Sequence, residues 1–228
     1  MSKPAFSFEF FPAKTEQGHE KLLSTYDELN KLSPAYFSVT YGAGGSTRSR
    51  TLDIVQALST RGTTEIAPHM SCIGDDKSEI AELLEYYKTL GIRRLVALRG
   101  DLPSGQVGMG ELPFAVDLVK YIREHSGDHF HIEVASYPEM HPQARSFEFD
   151  IDNLVNKYQA GANASITQFL YNAESYLYLR DKLEKRGIDT VAQPLVAGIM
   201  PITNSSNLLR FADSCGADIP RYVRKQLT

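Results

Sequence analysis

The sequence has few of the features that specialised classes of protein need. Its two cysteines, Cys72 and Cys215, lie far apart without CxxC spacing, so neither a disulfide framework nor a structural zinc site is expected. The net charge is −4 and no basic run occurs, which argues against a nucleic-acid partner because neutralising phosphates requires clustered Lys and Arg. No stretch approaches the roughly 20 consecutive apolar residues of a membrane helix. With no signal peptide at the start, these absences predict a cytoplasmic protein without a membrane partner.

The sequence does show a repeated change of hydrophobic period. Short apolar runs alternate with amphipathic stretches, and this pattern predicts seven strands, each followed by a helix. The predicted strands are residues 5–11, 36–40, 65–70, 94–98, 130–136, 164–170 and 194–200. The predicted helices are residues 16–32, 47–61, 77–90, 113–125, 148–160, 174–186 and 204–215.

Strands that alternate with helices pair in parallel, because each helix serves as the crossover between two strands. The chain has no GxGxxG motif after a strand, so the open dinucleotide-binding sheet is the weaker of the two common solutions. We therefore expect an α/β fold of the (β/α)₈ TIM-barrel type, forming one catalytic domain over residues 1–228. Eight strands close such a barrel and seven are counted, so the last βα unit at the C-terminus is expected to be missing.

Polar side chains stand where most of the predicted strands end. In a barrel of this type the carboxyl ends of the strands form the catalytic face. A random loop would also be polar, but these residues follow directly on buried runs, which favours an enzyme. They are Glu9, Thr40, His69, Arg99, Asp101, Tyr137, Glu139, His141 and Gln168, and Gly100 stands between Arg99 and Asp101.

Glu9 is the strongest candidate for an acid. Alternation along the first strand places Ser7, Glu9 and Phe11 on one face, with Phe8 and its neighbouring aromatics on the other. A carboxyl among aromatic rings loses water, so we expect its pKa to rise toward neutrality, as a general acid at pH 7 requires. The alternative is a buried Glu paired with an Arg or Lys elsewhere in the barrel.

Asp101 and His69 are open to more than one interpretation. Gly100 allows a ligand to approach the backbone before Asp101, but Asp also commonly caps turns and helices. His69 could contact a ligand, bind a metal or lie satisfied in the core. Glu9, His69, Asp101 and His141 together make a metal-dependent aldolase or hydrolase conceivable, although no metal-ligand spacing occurs at a strand end.

Seven motifs, in order along the chain, resemble the methylenetetrahydrofolate reductase family. They are SFEFFP (residues 7–12), SVTYGA (38–43), APHMSC (67–72), VALRGDLP (96–103), YPEMHPQA (137–144), AGANASITQF (160–169) and RFAD (210–213). Each motif is weak alone, but the ordered set is specific and covers nearly the whole chain. The family's catalytic domain continues beyond the last residue of this sequence, which agrees with the expected missing unit.

The resemblance implies an FAD enzyme that takes hydride from NAD(P)H and reduces methylenetetrahydrofolate by a ping-pong mechanism. It makes Glu9 the general acid and gives Asp101 a catalytic place near the flavin and the folate pterin, both of which it tunes. It also implies that Gln168 orients the folate and that Phe211 packs on whichever substrate is bound. Asn207 stands where some relatives have a folate-contacting glutamine. A homo-oligomer is expected, with no metal.

The resemblance also implies which residues line the flavin. They are Thr40, His69, Arg99, Gly100, Asp101, Ala135, Tyr137, His141, Ala144, Asp150, Asn153 and Lys157. A non-enzymatic protein that binds folate or flavin without turnover remains a third interpretation.

Overall fold

The computed structural model describes residues 4–41, 45–101 and 110–227. The spatial contacts between residues divide the chain into two compact units, residues 1–132 and residues 133–228. We call these the first unit and the second unit, and describe each by itself.

The first unit alternates strands and helices from its first element onward. Strand β1 pairs in parallel with β2, β2 with β3, and β3 with β4. The alternation and the parallel pairing confirm the sequence prediction for this part of the chain. The elements are β1 (Phe8–Phe10), α1 (Glu16–Asn30), β2 (Tyr36–Val39), α2 (Gly45–Arg61), β3 (Glu65–Ser71), α3 (Lys77–Thr89), β4 (Arg94–Leu98) and α4 (Ala115–Ser126).

Side chains at the helix starts explain two of the boundaries. The hydroxyl of Thr15 accepts a hydrogen bond from the backbone N–H of Gly18 at the start of α1. Asp76 and Glu79 form a reciprocal capping box at the start of α3. These contacts satisfy N–H groups that have no partner within a helix, and so fix where each helix begins.

The core of the first unit near β1 is aromatic. The rings of Phe8 and Phe10 both stack on Phe37 of β2, with centroids 5.8 and 5.5 Å apart. Tyr26 of α1 closes the cluster, with its ring centroid 4.6 Å from that of Phe37. Phe8 and Phe10 therefore point toward a helix, as alternation along β1 predicts, and Glu9 takes the opposite face.

The second unit continues the same alternation. Strand β5 pairs in parallel with β6, and β6 with β7. The elements are β5 (His131–Ser136, which begins at the boundary between the units), α5 (Phe147–Gln159), β6 (Ala164–Thr167), α6 (Ala173–Lys185), β7 (Leu195–Val196), α7 (Ser205–Cys215) and α8 (Arg221–Leu227).

Helix α8 was not predicted from the sequence. Val223 of α8 packs in a core cluster with Phe169, Leu208, Ala212 and Ile219. The hydroxyl of Tyr222 also donates to the carbonyl of Tyr171, at 2.7 Å. Packing against this cluster stabilises a helix that is too short for its own periodicity to be recognised.

The described residues thus form an α/β fold with seven strands and eight helices. A closed eight-stranded barrel and a single domain over residues 1–228 stay predictions. None of the helices in the described part of the chain combines the length and the apolar character needed to cross a membrane.

Candidate functional site

Three polar side chains converge on one face of the sheet in the first unit. Glu9 of β1 pairs directly with Ser38 of β2, which pairs with Ala67 of β3. His69 lies two residues beyond Ala67 and therefore on the same face. Its Nε2 atom is 3.3 Å from Oε2 of Glu9. The carboxyl of Glu9 thus lies close to both a serine and a histidine.

The charge state of Glu9 differs from the one predicted. Burial is the largest single influence and raises the pKa of Glu9, but the close approach and charge of His69 and a hydrogen bond from Ser38 together lower it below its usual value. The side chain is also 43% exposed, so desolvation is incomplete. The expected rise toward neutrality was wrong for the free protein, because the partners that stabilise the carboxylate outweigh burial.

The predicted flavin contacts of the first unit stand at the ends of β2, β3 and β4. The backbone N–H of Thr40 donates to the carbonyl of Phe10, at 2.9 Å, and the hydroxyl of Thr51 donates to the carbonyl of Thr40, at 3.1 Å. His69 is buried, with 7% of its surface exposed. Thr40 and His69 are therefore held on adjacent strands of this face.

After β4 the chain turns sharply at Gly100, whose φ of +86° lies in the left-handed region. A Cβ atom at this position would come within 1.9 Å of Oγ of Ser71. That hydroxyl donates to the carbonyl of Arg99, at 2.8 Å, and fixes the turn to the end of β3. Only glycine fits here. Asp101 follows and is exposed.

In the second unit, a tight loop after β5 holds several predicted flavin contacts together. The rings of Tyr137 and His141 meet edge to face, with centroids 4.6 Å apart. The backbone N–H of His141 donates to Oδ2 of Asp150, at 2.8 Å, and the N–H of Ala144 donates to the carbonyl of His141, at 2.9 Å. Asp150 of α5 thereby anchors the loop.

Lys157 of α5 reaches back to the strand. Its Nζ atom donates to the carbonyl of Ala135, at 2.5 Å. Burial lowers the pKa of Lys157 to about 8, although the charge of Asp150 works in the opposite direction. Asn153 lies on the same helix and is exposed. Six of the predicted flavin contacts are thus linked through α5 and the β5–α5 loop.

The predicted folate contacts of the second unit lie after strand β6 and on helix α7. Gln168 follows β6, and its backbone N–H donates to the carbonyl of Ser136, at 2.8 Å. The ring of Phe211 stacks on that of Phe169, with centroids 5.6 Å apart, and is 43% exposed. Gln168 and Phe211 are therefore neighbours through Phe169.

Asn207 is exposed on α7, one turn before Phe211. Its Oδ1 atom accepts a hydrogen bond from Nη2 of Arg210, at 2.7 Å. This contact uses one of the two lone pairs of the amide oxygen, so Asn207 keeps one acceptor position and its N–H₂ group for a folate.

The structure also contains polar features that the sequence analysis did not single out. Ser38 is the main one, and its signal was available, because it precedes Thr40 by two residues and so shares its face. A shallow surface depression in the second unit is a second feature. Its lining includes Glu139, whose pKa is raised by burial and which is hydrogen-bonded to Ser175.

The metal-dependent interpretation finds no donor set in the part of the chain that the structure describes. Within residues 4–41, 45–101 and 110–227, no group of three or more His, Cys, Asp and Glu side chains lies close enough to hold a metal ion. Glu9 and His69 approach each other as a pair only. The described residues therefore offer no cluster of the kind that a metal-dependent aldolase or hydrolase would need.

Similarity to solved structures defines the class of fold. An uncharacterised protein from Clostridium thermocellum, described as binding two copies of 5-methyl-5,6,7,8-tetrahydrofolic acid, superposes with a TM-score of 0.67 at 14% identity, over 98% of this chain and 75% of that chain. A 2,3-dimethylmalate lyase superposes with a TM-score of 0.55 at 12% identity, over 91% of this chain and 72% of that one. At such identities the likeness concerns the α/β fold alone.

Similarity in sequence is much closer. The model of the family described as "Methylenetetrahydrofolate reductase" matches residues 1–228. The 5,10-methylenetetrahydrofolate reductases of Pectobacterium carotovorum subsp. carotovorum and Escherichia coli (strain K12) are 43% and 42% identical over 217 residues, covering 95% of this chain and 70% and 71% of those proteins. The chain belongs to the methylenetetrahydrofolate reductase family, and it is an oxidoreductase of folate metabolism.

A plant relative matches over a smaller share of its length. The protein named "Methylenetetrahydrofolate reductase (NADH) 1" of Arabidopsis thaliana is 38% identical over 240 residues, which cover 100% of this chain and 40% of that protein. The bacterial and plant matches together confirm the family predicted from the seven motifs.

Proposed function

We propose that this protein reduces 5,10-methylenetetrahydrofolate to 5-methyltetrahydrofolate, with bound FAD as hydride carrier and NAD(P)H as donor, in a ping-pong cycle. Family membership supports the reaction. The structural observation that carries the proposal is the carboxyl of Glu9, which lies close to Ser38 and His69 on one face of β1 to β3. A partly exposed carboxyl on that face can reach a substrate and exchange a proton with it.

The residues of each unit fit a flavin nucleotide. In the second unit, Lys157 offers a half-buried ammonium with three N–H donors, of which one is used by the carbonyl of Ala135. A buried cation is stabilised by an anion such as a pyrophosphate. In the first unit, Thr40 follows β2, His69 lies in β3, and Arg99 and Gly100 follow β4. When bound, the flavin supplies the hydride transfer, and the protein supplies binding, orientation and proton control.

A comparison of 5,10-methylenetetrahydrofolate with 5-methyltetrahydrofolate shows what the protein must provide besides hydride. The product keeps its carbon on N5, so the bond from that carbon to N10 is the one that breaks. The carbon gains a hydride and N10 gains a proton. We assign that proton to the carboxyl of Glu9, which acts as the general acid while the bridge opens to an iminium.

Glu9 must then be protonated in the complex although its pKa is lowered in the free protein. A folate lying over the 43% exposed side chain would remove the water that still solvates it. Burial already acts to raise the pKa of Glu9, so further desolvation strengthens the same effect. We therefore propose that substrate binding converts Glu9 from a carboxylate into the acid.

The remaining site assignments belong to the same proposal. Asp101, Gln168, Asn207 and Phe211 are the proposed folate contacts besides Glu9. The closed eight-stranded barrel, a homo-oligomeric state and a cytoplasmic location also stay proposals. The proposed flavin contacts are Thr40, His69, Arg99, Gly100 and Asp101 in the first unit, and Ala135, Tyr137, His141, Ala144, Asp150, Asn153 and Lys157 in the second.

The substitution Glu9→Gln tests the role of the acid, because it removes the proton and keeps the shape. We expect FAD content and NAD(P)H oxidation with an artificial electron acceptor to stay near those of the unchanged protein. Folate reduction should fall by about 10²–10⁴-fold, the usual contribution of a general acid. Stopped-flow absorbance of the flavin measures both half-reactions separately.

Glu139→Gln is the matched control, since Glu139 is another partly buried carboxyl just after a strand and lies outside the proposed contacts. It should leave both half-reactions unchanged. An equal loss of flavin reduction and folate reduction in Glu9→Gln would refute the general-acid assignment.

A further inference from the structure

Ser38 lies opposite Glu9 in the sheet of the first unit. The parallel register of β1 and β2 makes Glu9 and Ser38 direct partners, so their side chains project on the same face. The hydroxyl of Ser38 therefore lies beside the carboxylate of Glu9, and a hydrogen bond from Ser38 is one of the influences that lower the pKa of that carboxyl. No motif-derived site assignment includes this serine.

The surroundings of Ser38 make the contact stable. Ser38 is 3% exposed, so water does not compete for its hydroxyl. Its partner on the other side is Ala67 of β3, whose methyl group offers no hydrogen bond. Strand Tyr36–Val39 is buried along its whole length, which fixes the backbone that carries Ser38. The hydroxyl therefore sits on a rigid support beside a partly exposed carboxylate.

We propose that Ser38 is a positioning residue that holds the carboxylate of Glu9 in the orientation from which it delivers its proton to the substrate. The proposal rests on the proposed function, because it assumes that Glu9 is the acid. In this role Ser38 acts through Glu9 and not on the substrate itself. His69, which approaches Glu9 from β3, is the titratable side chain that shares this task.

The hydrogen bond has a second consequence for the chemistry. It stabilises the ionised form of Glu9, in which the oxygen accepts from the hydroxyl. Glu9 is thereby kept as a carboxylate until a substrate covers it. Removing the hydroxyl should raise the pKa of Glu9 and at the same time leave the carboxyl less well oriented.

The first measurement is the titration of Glu9 itself, which does not depend on catalysis. Protein labelled with ¹³C at the glutamate carboxyl groups is titrated by NMR, and the Glu9 signal is assigned by its loss in Glu9→Gln. We expect Ser38→Ala to raise the pKa of Glu9 by about one unit, since a hydrogen bond to a charged group is lost.

The second measurement is the pH profile of folate reduction by the FAD-loaded protein. At low pH, where Glu9 is protonated in both proteins, Ser38→Ala should be about ten-fold slower because orientation is lost. The alkaline limb should move to higher pH by about one unit. A merely structural defect would lower the whole profile and leave the limb in place.

Two further variants distinguish the effect of losing the hydrogen-bond donor from the effect of changing the size of the side chain. Ser38→Thr keeps the donor and should retain the pKa and most of the activity. Ser38→Cys keeps the size but is a weak donor, so it should behave like Ser38→Ala and serves in its place if alanine impairs folding. Ser136→Ala is the matched control, because Ser136 is a strand serine with 1% exposure whose hydroxyl has no partner among the described residues.

An unchanged pKa of Glu9 in Ser38→Ala and Ser38→Cys would overturn the proposal, as would a uniform loss of rate without a shift of the limb. Failure of the proposed function looks different. In that case the unchanged protein itself reduces no folate, while the NMR titration still reports whether Ser38 holds Glu9.

Discussion

At the scale of single residues, Lys157 shows how burial lowers the pKa of an ammonium group. Its pKa is lowered to about 8 because the ammonium is taken out of water, and Asp150 offsets only part of this effect. The unfolded chain has a lysine pKa near about 10.4. Between these two values the unfolded state binds more protons, so the free energy of unfolding rises with pH from about 8 to about 10.4.

The same pKa predicts pH-dependent flavin binding. An anionic pyrophosphate beside Lys157 favours the charged ammonium and raises its pKa, so binding takes up a proton above about pH 8. The affinity for FAD should be nearly constant from about pH 6.5 to about pH 7.5 and fall by up to about ten-fold per unit above pH 8. Calorimetric titration of the apoprotein with FAD at several pH values measures this dependence.

Two variants check the assignment to Lys157. Lys157→Met should bind FAD more weakly and lose the pH dependence. Lys182→Met is the control, because Lys182 pairs with Glu148 on the surface, at 2.5 Å. If the affinity of Lys157→Met for FAD falls with pH as steeply as that of the unchanged protein, another group is responsible for the pH dependence.

The direction of the Glu9 pKa marks the limit of residue-level prediction from sequence. Strand alternation gave the face of Glu9 correctly, because Phe8 and Phe10 pack on Phe37. The pKa depends instead on Ser38 and His69, which lie 29 and 60 positions further along the chain. Their approach to Glu9 is set by the register of three strands, which a local pattern does not contain.

At the scale of elements, the turn after β4 is the most demanding local structure of the first unit. Gly100 has a positive φ and lies against Ser71. Gly91 also has a positive φ, but a Cβ atom added there would meet no other atom within 4 Å. A side chain at Gly91 would therefore meet only backbone strain, whereas one at Gly100 would meet both backbone strain and a clash with Ser71.

This contrast gives a prediction for stability. Gly91→Ala should cost about 1–2 kcal/mol, the penalty for a left-handed residue with a Cβ atom. Gly100→Ala should cost at least about 1–3 kcal/mol more, because the added methyl overlaps Oγ of Ser71. Urea unfolding monitored by circular dichroism measures both, and equal costs would show that the contact with Ser71 relaxes freely.

The boundaries of most elements could be predicted from periodicity and end signals. Strand β4 occupies residues 94–98 as predicted, and the other helices and strands that were predicted are present. Strand β7 is shorter than its apolar run, with only Leu195–Val196 paired. Gly198 donates instead to the hydroxyl of Thr167, at 2.9 Å, so a side chain ends the ladder early. Helix α8 depends on tertiary packing and had no periodic signal.

At the scale of the whole molecule, the ordered motifs carried more information than any single site. Periodicity gave an α/β fold with parallel strands, and the motifs gave the family, which the match over residues 1–228 confirms. Periodicity alone left a metal enzyme open. The motifs favoured the flavin-dependent reductase over a metal enzyme, because they specify the residues at several strand ends at once.

The most direct test of the proposed function follows one turnover of the unchanged protein. The protein is loaded with FAD, reduced with one equivalent of NADH or NADPH without oxygen, and mixed with 5,10-methylenetetrahydrofolate. We predict that the absorbance of oxidised flavin returns and that one 5-methyltetrahydrofolate forms per flavin. A flavin that stays reduced, with no methyl product, would contradict the account.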